Sequence, residues 1–103
     1  MPGKSNNNNT QQLFTVICRY NDGTYVEQLW ADDVSAAITN WIQRVLHSKG
    51  SNPPIPVDEI SVIEAQLIGE EATKIQDCVS AWVATAFPAS GPVWLDIIKT
   101  LPE

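Results

Sequence analysis

Apolar and polar side chains alternate over residues 13–20 and again over 24–30, and the two runs meet at Asn21-Asp22-Gly23. Alternation with a period of two is the mark of a strand with one face buried. A glycine after an aspartate suits the tight turn between two such strands. The pattern therefore predicts an antiparallel hairpin. With Asp22 and Gly23 as the central turn residues, Tyr20 pairs with Tyr25 and Val16 with Leu29; a three-residue loop would change every pairing. One face then carries Phe14, Val16, Tyr20, Tyr25 and Leu29, and the other carries Leu13, Ile17, Val26 and Trp30. Both faces are apolar, and one helix covers only one of them. The second face calls for another helix, a second subunit or a ligand.

After Trp30 the period changes to 3.6 residues. Val34, Ala37, Ile38, Trp41, Ile42 and Val45 fall on one stripe, while Ala36, Asn40, Gln43, Arg44 and His47 fall opposite. Asp32 or Asp33 can cap the start, and Lys49 with Gly50 makes a stop. The spacing predicts one long amphipathic helix over 33–48. Three prolines in 51–56 make a stiff connector. Their P-x-x-P spacing lacks the basic neighbour of an SH3-type ligand. Ile60, Ile63, Leu67 and Ile68 suit a short helix over 58–68, although Glu64 falls inside the apolar arc and Val62 points outward. Residues 70–77 read as a polar loop. Two further strands, 78–87 and 93–100, flank the turn Pro88-Ala89-Ser90-Gly91-Pro92.

The elements assemble into an α+β chain of order ββα(α)ββ. It comprises a four-stranded, mainly antiparallel sheet of two β-hairpins, one long amphipathic helix and an optional short second helix. Residues 1–12 are a polar tail with nothing to bury and are expected to be disordered. Residues 13–103 form a single α+β domain. The β-β-α start, about half of the chain, is similar to small sheet domains of the HicB-like antitoxin kind. That resemblance rests on pattern, and the glycine- and proline-rich strand-end motif of the family is missing.

Composition narrows the chemistry. The chain has 103 residues, of which 44% are hydrophobic, which suits one globular domain. Twelve acidic residues against six basic ones give a net charge of −6. That charge repels phosphates and argues against a nucleic-acid partner. It suits solubility, or an acidic face for a basic protein. No apolar run approaches the ~20 residues of a spanning helix, and no signal peptide opens the chain. No membrane contact and a cytoplasmic location are therefore expected.

Cys18 and Cys78 lie 60 positions apart and match no zinc spacing. His47, the single histidine, falls on the polar side of its helix. There is no nucleophile elbow and no phosphate loop, so no cofactor is expected. Four tryptophans are many for this length. Trp41 belongs to the helix stripe. Trp30, Trp82 and Trp94 are candidates for an interaction surface. Glu27 and Asp96 join them because each interrupts an apolar strand. Together these features predict a small acidic protein acting by protein–protein contacts, regulatory, immunity or antitoxin-like, through a protein partner or self-association. The alternative is a small enzyme or ligand-binding domain with a carboxylate beside an aromatic pocket. That carboxylate would be Glu27 or Asp96; if the two met across the sheet, like charges would raise one pKa, whereas the favoured reading sets both on a solvent-facing strand surface.

Overall fold

Asn21 sits in the left-handed backbone region, with φ of 53°, and this one residue sets the first hairpin. Asparagine tolerates that conformation better than other side-chain-bearing residues. The turn therefore consists of Asn21 and Asp22, and Gly23 becomes the first residue of the next strand. In a computed structural model that describes residues 11–47, 53–69, 72–75 and 80–100, strand β1 is Gln12–Tyr20 and β2 is Gly23–Ala31. Tyr20 pairs with Gly23, Cys18 with Tyr25, Val16 with Glu27 and Phe14 with Leu29. The expected register is thus corrected by two residues. A slip of two leaves every side chain on its expected face, because strand faces repeat with that period. Gln12 belongs to β1, so the strand begins inside the segment read as tail; residues 1–10 lie outside the described residues.

Helix α1, Val34–Trp41, starts at Asp33, whose carboxylate accepts the Ala36 N–H at 2.8 Å. The long regular helix expected over 33–48 is also corrected. Beyond Trp41 the chain continues as a π-helical stretch, Ile42–Leu46, closed by a bond from His47 N to Ile42 O of 3.1 Å. A wider turn brings residues five apart into line. Trp41, Ile42, Val45 and Leu46 are then all buried together. Residue 48 lies outside the described residues.

A 3-10 turn, Val57–Glu59, leads into helix α2, Ile60–Gly69. Ile60, Ile63 and Leu67 are buried and Val62 is exposed. Glu64, the polar residue within the apolar arc, has its Oε1 3.1 Å from His47 Nε2. The intrusion is a tie between the two helical segments.

The remaining strands are β3, Thr73–Lys74, β4, Ala81–Ala86, and β5, Val93–Thr100. The sheet has five strands in the order β2-β1-β5-β4-β3, all antiparallel neighbours. The four-stranded expectation misses β3, which is too short to show alternation and lies in the segment read as a loop. The two hairpins join through β1 and β5, with Val16 opposite Ile97 and Cys18 opposite Leu95. Both helices lie on this face. Phe14, Val16, Cys18, Leu95 and Ile97 pack into one core with Ile38, Trp41, Ile63 and Leu67. Cys78 lies outside the described residues, and with it the question of its distance from Cys18.

Candidate functional site: the uncovered sheet face

With both helices on one side, the other side of the sheet carries no layer among the described residues. Strand pairing arranges that side in rows. Trp30 adjoins Leu13 and Thr100; Gln28 adjoins Thr15 and then Ile98. Val26 adjoins Ile17, Asp96 and Val83 in turn, and Thr24 adjoins Arg19, Trp94 and Thr85. Four large apolar side chains there are well exposed: Val26 by 61%, Trp30 by 48%, Trp94 by 44% and Ile98 by 38%.

The polar groups between them satisfy one another. Arg19 and Asp96 form an ion pair across β1 and β5. The Trp94 indole Nε1 donates to the other oxygen of Asp96 at 2.9 Å. Gln28 Nε2 donates to the Thr15 hydroxyl at 3.0 Å, and the Thr15 and Thr100 hydroxyls share a bond of 2.6 Å. Arg19 and Asp96 are the charged residues of this face among the described strands, and their charges cancel. A cleft of ≈ 560 Å³ lies at the turn end, between Asn21, Asp22 and Pro92 on one side and Trp94 and Arg19 on the other. The surface is amphipathic, electrically neutral and internally hydrogen-bonded. It offers apolar area without leaving a buried polar group unpaired when something lies over it.

Of the five residues singled out in the sequence, Trp30, Trp94 and Asp96 lie on this face. Trp94 and Asp96 touch, and Trp30 sits at the far end of β2. Trp82 and Glu27 lie on the helix side. The Trp82 ring packs edge-on against Phe14 with centroids 6.2 Å apart, and it is half-buried against the edge of the core. Glu27 approaches Arg44 Nε at 3.4 Å. Glu27 and Asp96 are on opposite faces, so they do not meet across the sheet. The even-odd count already separates the two once β1, opposite both, is used as the common ruler: Glu27 pairs with Val16 and Asp96 with its neighbour Ile17.

Sequence reasoning misses two features. Arg19 has no helical or loop signature, and only the β1–β5 register brings it to Asp96. A hydrogen-bonded chain of Tyr20, Ser90 and Glu59 also has no local signal. The Ser90 hydroxyl donates to Glu59 Oε1 at 2.6 Å, the Ser90 N–H donates to the same oxygen at 3.1 Å, and the Tyr20 hydroxyl bonds to Ser90. This chain ties the β4–β5 turn to the end of β1 and the start of α2. Its members are 31 and 70 positions apart.

Among the described residues the core holds one thiol, and burial disfavours its reactive thiolate form. Cys18 is a free thiol with no exposed surface, and burial pushes its pKa up to about 12. Among the described residues no three His, Cys, Asp or Glu side chains gather as metal ligands, and no helix is long and apolar enough to cross a membrane. No family model, curated protein or solved structure matches the chain.

Proposed function

We propose that the protein is a binding module that docks a protein partner on its uncovered sheet face. The supporting observation is that exposed Val26, Trp30, Trp94 and Ile98 share one sheet face with polar groups that are already paired. Tryptophan and arginine are enriched at binding hot spots, and here Trp94 stands beside the solvent-exposed Arg19–Asp96 pair. An apolar patch of this kind is uncommon on a chain that acts alone. Because Arg19 and Asp96 cancel, the contact itself selects a partner by shape and apolar area. The net charge of −6 resides elsewhere, on residues such as Asp32, Asp33, Asp58 and Glu59. Those charges would steer a basic partner from a distance without lying in the contact. An immunity or antitoxin-like role in the cytoplasm is one concrete form of this reading. The free thiol of Cys18 fits a reducing compartment.

The test is capture of a partner from native lysate, with cross-links mapped by mass spectrometry. Cross-links should fall on β1, β2 and β5 residues of the uncovered face. Trp94→Arg should abolish capture, and Gln43→Arg, on the exposed side of the helical segment, should not. A partner held equally by both variants, or no partner at all, would count against the proposal.

A further inference from the structure

The two edges of the sheet are finished differently. The β3 edge is two residues long and includes Lys74, a short charged border that discourages further pairing. The β2 edge is nine residues long. It contains no proline and no lysine, and its register with β1 runs without a bulge.

The two-residue turn decides which backbone groups of β2 are free. Tyr20 and Gly23 flank the turn as a bonded pair, so Gly23, Tyr25, Glu27, Leu29 and Ala31 bond to β1. The N–H and C=O groups of Thr24, Val26, Gln28 and Trp30 point away from the sheet. Asn40 Nδ2 donates to the Trp30 carbonyl at 3.1 Å, which agrees with that direction and closes the row at its far end. The outward residues with both groups open are Thr24, Val26 and Gln28, a set symmetric about Val26. All three residues are exposed, and a cleft of ≈ 320 Å³ is lined by Thr24–Glu27 with Trp41 and Val45.

The geometry points to antiparallel pairing of β2 with β2 of a second copy of this chain, the two-fold axis passing through Val26. Thr24 of each copy then faces Gln28 of the other, and Val26 faces its own counterpart. About six main-chain hydrogen bonds form. The Asn40 cap ends the free row where this register ends it. Charge disfavours one neighbouring register. An axis at Glu27 would set two carboxylates directly opposite one another, which destabilises a strand pair; the Val26 axis sets Glu27 opposite Tyr25. Each Glu27 is already paired with Arg44 of its own chain, so the edge carries no net charge although the chain carries −6. A second copy fits this edge because the row that the Asn40 bond bounds, Thr24 to Gln28, is centred on the exposed Val26. Val26, the most exposed large apolar residue of β2, meets its counterpart at the centre. Two five-stranded sheets become one continuous sheet, and the uncovered faces of both copies stay free. The inference rests on the main-chain edge of β2 rather than on the open face, and the two proposals share only the Val26 side chain.

The test joins sedimentation equilibrium with amide exchange on the full chain. The wild type should be a dimer at high concentration and dissociate on dilution. The Thr24, Val26 and Gln28 amides should be protected in the dimer and lose protection on dilution. Val26→Pro removes only an outward N–H, a substitution that edge strands tolerate, and should weaken association at least about tenfold (~1.4 kcal/mol). Val26→Lys keeps the backbone, brings two like charges to the axis, and should give the same loss if the proline variant fails to fold. Trp94→Arg should leave the dimer intact while losing partner capture, which separates failure of one proposal from failure of the other. A wild type that stays monomeric, a dimer with those three amides unprotected, or an undiminished dimer in Val26→Lys would overturn the inference.

Discussion

Cys18 shows how one buried atom makes stability depend on pH. Its thiol has an ordinary pKa of 9.0, pushed up to about 12 by burial. Below pH 9.0 the folded and unfolded chains both keep the proton, and the site contributes its full stability. Between 9.0 and about 12 the unfolded chain releases the proton while the folded chain holds it. The unfolded state then binds fewer protons, so stability falls as pH rises across this window, by up to ~1.4 kcal/mol per unit from this site. Urea unfolding at about pH 8 and about pH 10 should show a smaller loss in Cys18→Ala than in the wild type. Native Cys18 should also resist iodoacetamide until the chain unfolds, as read by peptide mapping that separates it from Cys78. Rapid native labelling of Cys18 would refute the assignment. Asp33 acts at the same scale through a single bond to Ala36. Asp33→Ala should cost about 1 kcal/mol, measured as a lower urea midpoint with an unchanged slope.

Between elements, two turns meet. Gly91 has φ of +142°, and a side-chain carbon there would lie 2.8 Å from Asn21 Oδ1. Gly91→Ala therefore adds backbone strain to a steric contact and should destabilise by roughly 1–3 kcal/mol. Adding Asn21→Gly removes the contact but not the strain, so the double variant should recover part of the loss. Full additivity in that cycle would show that the turns do not touch. The same elements show what the sequence makes legible. The faces of β1 and β2 are readable because they depend only on even-odd position, which survives a two-residue slip. The register is not, because it turned on whether Asn21 or Gly23 took the positive φ. The stripe from Val34 to Val45 announces a helix, but nothing in it marks the change to π-helical geometry after Trp41. Trp30, Trp94 and Asp96 could be picked out as unusual residues. Trp82 looked the same in sequence but lies half-buried on the helix side, because its side depends on the β4–β5 pairing of Trp82 with Ile97. Arg19 and the chain of Tyr20, Ser90 and Glu59 need tertiary distances that no local pattern carries.

Across the whole molecule the decisive asymmetry is one covered sheet face and one open face, and the four tryptophans report on it. Trp41 is 1% exposed and Trp82 is half-buried on the helix side, whereas Trp30 and Trp94 stand on the open side. Collisional quenching by acrylamide, which is uncharged and so indifferent to the net charge of the chain, should reach Trp30 and Trp94 first. Replacing both by phenylalanine should remove most of the quenchable emission, and Trp41→Phe should leave it in place. Should the double variant keep its quenchable emission, a layer covers the face and the docking proposal loses its basis. The same signal distinguishes two modes of association. Pairing along β2 adds strands at the edge and leaves both tryptophans open, so quenching should be insensitive to chain concentration. A partner seated over Trp94 excludes quencher from it, so quenching should fall as that partner is titrated in. Shielding by the chain's own concentration would place the self-contact on the open face instead of the edge, and would contradict the two-fold axis at Val26.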